Sequence, residues 1–217
     1  MPAGHIMPMT APVPGMAPPA ARGADAMHDM AGMEMDMLDP SNAPQIVMGP
    51  SVQMITAMPM DRTGEPGQGL ESVGHRVLVY KDLIALEQNP DTRAPGRSME
   101  IRLTGNMERF MWGFDGRKFS EGPAPYAFRH GERVRVTLVN DMMMTHPIHL
   151  HGHFFELVHG PVGRLPRKHT VNVLPSAKVT FDFTPEHGDW AFHCHMLYHM
   201  HAGMFQVFGV RRSGAHT

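Results

Sequence analysis

The sequence predicts an all-β sandwich or barrel, preceded by a segment with no packed core of its own. Three observations carry this. Several short segments after residue 74 are rich in β-branched and aromatic residues and are punctuated by Gly, Pro, Asn or Asp. One of them, KVTFDFT (178–184), alternates cleanly, with Val179, Phe181 and Phe183 on one face. Before residue 75 the composition differs: residues 1–74 hold 13 of the 22 methionines, are dense in Pro, Gly and Ala, and set two basic residues (Arg22, Arg62) against eight acidic ones.

In chain order, residues 1–74 show neither a helical nor a strand period. The stretch MHDMAGMEMDM (27–37) is low in complexity and cannot bury enough apolar surface to offset its ordering entropy. The whole segment is expected to be largely disordered, with short ordered pieces around 45–60. Strands are then expected at HRVLVYKDL (75–83), RSMEIRLTG (97–105), RVRVTLVN (133–140), HLHGHFFELV (149–158), HTVNVL (169–174), KVTFDFT (178–184) and MFQVFGV (204–210). WGFDGRKF (112–119) places Asp115 and Gly116 between apolar residues, which predicts a hairpin and makes Asp115 a turn residue rather than a catalytic candidate. Strands at this spacing suggest antiparallel sheets. The globular part is read as 75–212, with 213–217 as a tail.

The totals exclude several classes. A chain of 217 residues suits one or two domains. A net charge of -2 leaves no electrostatic footprint for nucleic acid. No apolar run reaches the roughly 18 residues of a membrane span. MPAGHIMPMTAPVPGMAPPA, at the N-terminus, lacks the basic and continuous apolar regions of a signal peptide. The single cysteine, Cys194, excludes an internal disulfide framework. The unusual counts are 16 His and 22 Met, both metal-binding side chains.

Two clusters concentrate them. In THPIHLHGHFF (145–155), strand alternation sends His149, His151 and His153 to one side, while His146, across Pro147, points elsewhere. In HCHMLYHMHAGM (193–204), His193 and His195 face one way and Cys194 the other. Period two therefore predicts two sites. On one face Cys194 joins His146, His199 and Met204; two imidazoles, a thiolate and a weak thioether are a blue-copper ligand set. On the other lie His149, His151, His193 and His195, four imidazoles that suit copper or zinc. Cys194 is bonded through the backbone to both His193 and His195, so one short covalent path links the sites.

HPIHLHGH followed by HCHMLYHMHAGM resembles the two C-terminal copper motifs of multicopper oxidases, at every ligand position. The resemblance covers roughly residues 75–212 and implies a Greek-key β-sandwich of cupredoxin type, the last such domain of these enzymes. The acidic Met-rich preface and VLVYKDL look most like the copper-resistance branch, which implies a periplasmic location. The resemblance implies type 1 copper at His146, Cys194, His199 and Met204, type 2 copper at His149, and the type 3 pair at His151, His193 and His195. It also implies electron transfer through Cys194, His193 and His195 to a three-copper cluster that reduces molecular oxygen to water. Cu(I) or a phenol is the implied reductant, taken up near an exposed imidazole edge of His199 or His146. In this family the cluster takes eight histidines, and the other four come as HxHG and HxH pairs. None precedes residue 146, where His5, His28, His75 and His130 are isolated. The chain therefore offers half a cluster, and N-terminal cupredoxin domains are the expected partner.

Other residues carry blander expectations. His153 and His201 sit beside ligands but outside the motif, which suggests supporting roles. His130, His159, His169, His187 and His216 are read as core or surface residues. Met142, Met143 and Met144 are read as plastic core filler, and the Met-rich stretch 27–37 as a linker or a soft-metal trap. The alternatives to an oxidase are a one-copper electron-transfer module and a copper-sequestering protein. A zinc hydrolase is disfavoured by the thiolate–thioether pairing and the lack of a candidate general base.

Overall fold

A computed structural model describes residues 37–212. The strands are β1 (Met60–Asp61), β2 (Arg97–Asn106), β3 (Met111–Phe114), β4 (Tyr126–Arg129), β5 (Val134–Asn140), β6 (His146–Leu150), β7 (Phe155–Leu157), β8 (Arg167–Lys168), β9 (Thr170–Val173), β10 (Ala177–Phe183), β11 (Gly188–Cys194) and β12 (Phe205–Arg211). One short helix, α1 (Leu197–His201), joins β11 to β12. One sheet runs β3-β2-β5-β10-β7-β8, with β1 also paired to β10; the other runs β4-β12-β11-β6-β9.

The sheets are mixed rather than purely antiparallel. β2 pairs with β5 in parallel, as does β12 with β4. The cause is the route of the chain: after the β2–β3 pair it crosses to the second sheet for β4, then returns to lay β5 beside β2.

Rings from both sheets meet in the core. Phe114 of β3 lies 5.0 Å from Phe192 of β11, and Phe128 of β4 lies 5.3 Å from Phe183 of β10. Val179, Phe181 and Phe183 face inward, as the alternation of β10 requires. Each such buried side chain contributes roughly 1.5–3 kcal/mol by leaving water. On the outer face, Asp182 is kept buried by a paired guanidinium, Arg135, at 2.8 Å.

Four expectations change. Residues 75–83 form no strand. Tyr80–Asp82 is a single 3-10 turn, because the Asp82 carboxylate folds back to accept from Val79 N at 3.1 Å, a local bond that competes with pairing. HLHGHFFELV is not one strand: it breaks after Leu150, and β7 starts at Phe155. Gly152 makes the break, with φ 68° and a Trp190 ring so close that a Cβ would sit 2.1 Å from it. β4 and β11 complete the sheets although their composition had not marked them as strands, whereas β3 is the first arm of the expected hairpin. Order also extends well outside 45–60. Ala43, Ile46, Val52 and Ile55 form a second buried cluster, tied to β2 by Gln53 N to Gly105 O and Arg102 Nη2 to Asn42 O, both 3.0 Å. The Asp115–Gly116 turn follows the sequence: both residues have positive φ, 50° and 82°. Met-rich residues 27–36 and His216 lie outside the described residues.

Candidate metal centre

Strand register builds the site. β11 pairs antiparallel with β6, setting His193 against His149 and Cys194 against Ile148. His146 and His149 have opposite parity on β6, so their rings leave on opposite faces. After Cys194 the chain turns through α1, which carries His199, and returns at Met204. The loop is closed by its own backbone: Cys194 N donates to Met204 O (3.1 Å) and Met204 N to His199 O (2.9 Å). His195 N donates to Pro147 O (2.7 Å), which ties the loop to β6. Gly203 has φ 130°, and a Cβ there would lie 2.6 Å from Trp112 O, so only glycine lets β3 come this close.

The first set is buried. Cys194 Sγ lies 3.6 Å from His146 Nδ1 and 3.8 Å from His199 Nδ1, and the two Nδ1 atoms are 3.2 Å apart. Cys194, His146 and Met204 are inaccessible to solvent, and His199 is 3 % exposed. Such spacings leave room for one ion with bonds of roughly 2 Å. Burial pushes the thiol up to about 11 and His146 down to about 3, helped by the facing His199. His199 is lowered by burial too. The imidazoles are thus neutral donors at pH 7. His146 turns Nδ1 toward Cys194 and His199 although this leaves its Nε2 buried without a hydrogen-bond partner, a cost of about 1–3 kcal/mol. Thiolate, two imidazoles and a buried thioether are the donor chemistry of copper, so the residues fit that metal.

The second set lies on the other face. One nitrogen from each of His149, His151 and His193 falls within 4.8 Å of the others. His151 Nε2 and His193 Nε2 are 3.0 Å apart. The Nδ1 atoms of His149 and His193 are occupied by carbonyls, His169 O at 2.7 Å and Cys194 O at 2.9 Å. Those bonds fix the tautomers and leave each Nε2 free as a ligand. Burial, the largest cause, holds both rings below the usual histidine range. His195 is exposed at the rim, its ring 6.0 Å from His193 and 5.6 Å from His149.

His153 does not join this set, as strict alternation would have it. The break at Gly152 turns it away, and both its nitrogens are used: Nδ1 donates to His151 O and Nε2 accepts from Glu186 N, each at 2.9 Å. Met142 is core and Met143 is exposed. The expected exposed imidazole edge is also absent, because the rings of both His146 and His199 are covered. Three supporting residues went unread in the sequence. His169 and Thr170 orient His149, but their role depends on β6–β9 register. Trp112 stacks on His199 at 4.4 Å and 13°; an apolar residue beside a predicted hairpin carries no signal of that.

Two mixed β-sheets around a buried His-Cys-His set define a cupredoxin-like copper protein. The chain belongs to the multicopper oxidase family, copper-using oxidoreductases whose family model matches residues 92–214. It is 44 % identical over 181 residues to the copper resistance protein A of Escherichia coli, covering 83 % of this chain and 29 % of that protein. It is 46 % identical over 158 residues to the copper resistance protein A of Pseudomonas syringae pv. tomato, covering 72 % and 26 %. The chain thus spans under a third of these relatives. Among solved structures, a multicopper oxidase from Campylobacter jejuni shares the fold, with a TM-score of 0.50 and 20 % identity over 63 % of this chain and 34 % of that one. No helix among the described residues is long and apolar enough to cross a membrane.

Proposed function

We propose that the chain is the C-terminal copper-binding part of a multicopper oxidase of copper resistance, acting in the periplasm. His146, Cys194, His199 and Met204 would hold type 1 copper. His149 would serve type 2 copper, and His151, His193 and His195 the type 3 pair, with four further histidines from N-terminal cupredoxin domains. When bound, copper supplies one-electron oxidation of Cu(I) or a phenol at the first set and, in the completed second set, reduction of oxygen to water.

The chain's own residues do the positioning. The closed 194–204 loop holds the Cys194 sulfur and the Met204 thioether out of reach of bulk solvent. Carbonyls of His169 and Cys194 aim Nε2 of His149 and His193. Cys194 lies between His193 and His195, so the electron path between the sets is one residue long. The observation that carries the reading is this coupling: a buried His-Cys-His set on one face of β6–β11, and a triple-imidazole set on the other.

Oxygen uptake by the copper-loaded chain, with Cu(I) as reductant and free-copper background subtracted, tests it. A blue chain with no uptake alone, and uptake restored by N-terminal domains, is expected. Uptake by the chain alone would overturn the shared-cluster reading. A second reading, a one-copper electron-transfer module, is favoured by the burial of the first set against the open rim of the second; one tightly bound copper per chain and no uptake under any pairing would establish it.

A further inference from the structure

The first ligand set is sealed, so the route of an incoming electron is a question of what covers it. His199 is covered by the indole of Trp112, which lies nearly parallel to it at 4.4 Å. Trp112 is itself only 3 % exposed. Tyr198 meets the indole edge-on at 5.6 Å, and Phe110 lies 6.4 Å from both. Tyr198 and Phe110 are 61 % and 63 % exposed. A continuous run of rings therefore joins solvent to a ligand imidazole.

Several features hold this arrangement in place. Phe110, just before β3, takes a positive φ of 53°, which a bulky residue rarely adopts, and its ring lies tilted beside that of Trp112. Gly105, Trp112's partner across the β2–β3 pair, leaves the space the indole fills: a Cβ there would lie 3.1 Å from Trp112 Cδ1 and 2.4 Å from Met142 Sδ. Gly203 lets the Trp112 carbonyl approach the ligand loop. The indole N–H, Nε1, is buried without an acceptor. Burying an unpaired donor is costly, so mere packing would be better served by phenylalanine.

Resting on the type 1 assignment, we infer that Trp112 is a positioning residue for His199, and that Tyr198 and Trp112 are the path by which a reductant's electron reaches it. The donor at the Tyr198 edge loses one electron. The electron would cross both rings by tunnelling, neither ring being oxidised; His199 would hold the acceptor, a cupric ion that would become cuprous. No proton moves and no bond breaks.

The test is stopped-flow reduction of the copper-loaded chain by hexaammineruthenium(II), a substitution-inert one-electron donor, together with the visible and electron paramagnetic resonance spectra. Trp112→Leu should slow reduction by about tenfold or more, equivalent to about 1.4 kcal/mol of barrier, and alter the spectra as the His199 ring loosens. Trp112→Phe, which keeps a stacked ring, should restore most of the rate. Tyr198→Leu, at an exposed position, should slow reduction with the spectra unchanged. A blue Trp112→Leu protein with native spectra and native rate would overturn the inference while leaving the type 1 assignment standing. If that variant does not fold, Tyr198→Leu decides, and a native rate there overturns the inference. A wild-type chain that takes up copper without blue colour would remove the type 1 assignment and this inference together.

Discussion

The protonation of Cys194 sets a measurable demand on any metal that binds there. With no metal, burial pushes the thiol from its ordinary 9.0 up to about 11, while His146 falls to about 3. At pH 7 the thiol is therefore about four units from ionising, and freeing the thiolate costs about 5 kcal/mol at 1.36 kcal/mol per unit. The metal bond must supply this, and one proton must leave for each ion bound. The sign follows: below about 11 the thiol is protonated, so lowering the pH by one unit lowers the apparent affinity about tenfold. His146 adds nothing, because it is already neutral. The same shift weakens the metal-free fold as pH rises from about 9 towards 11, since the folded state holds its proton longer than the unfolded one. Cobalt(II), a redox-inert stand-in for copper, gives a thiolate charge-transfer band to titrate against a competing chelator between pH 7 and 9. A slope of one in log affinity per pH unit is expected, with the band absent in Cys194→Ser. A slope of zero would mean that the thiol is already ionised at pH 7, and the desolvation argument would be wrong.

Replacing Met204 by leucine should raise the reduction potential of the blue copper, because a thioether donor is lost from the oxidised site; an unmoved redox titration would remove Met204 from the ligand set. Arg102→Leu should destabilise the fold by about 3–5 kcal/mol in urea unfolding, because it strands Asp141, whose carboxylate is fully buried 2.9 Å from the guanidinium. Burial also raises Asp141 to about 6, so the wild-type fold should lose stability as pH climbs from about 4 to 6, and Asp141→Asn should flatten that slope. His153→Ala should cost roughly 1–3 kcal/mol of stability through two lost hydrogen bonds and leave metal stoichiometry unchanged; a lost metal ion would make His153 a ligand rather than a support.

Motif spacing and alternation made much of this protein legible. Opposite faces for Cys194 and its flanking histidines follow from period two, because β11 runs without a bulge to Cys194 and His195 follows directly, its ring stacked 6.0 Å from that of His193. β10 is legible for the same reason, and the Asp115–Gly116 turn because its chemistry is local. Legibility failed wherever a distant group overrode the local pattern. Alternation grouped His153 with His149 and His151, but Trp190, nearly 40 residues away, packs on Gly152 and bends the chain there. Residues 37–61 show no period, since a strap that lies on a sheet needs only scattered anchors such as Ile46 and Ile55.

The sequence by itself supplied the candidate donor residues and their order along the chain, since those depend on residue type and short-range spacing. Only the tertiary structure decided that the first set is sealed, that Nε2 of His149 and His193 are the free nitrogens, and that an indole covers His199. Each of these depends on which residues from other strands arrive beside the ligands, and that is set by the β6–β9, β6–β11 and β2–β3 registers together with the return of the ligand loop against β3.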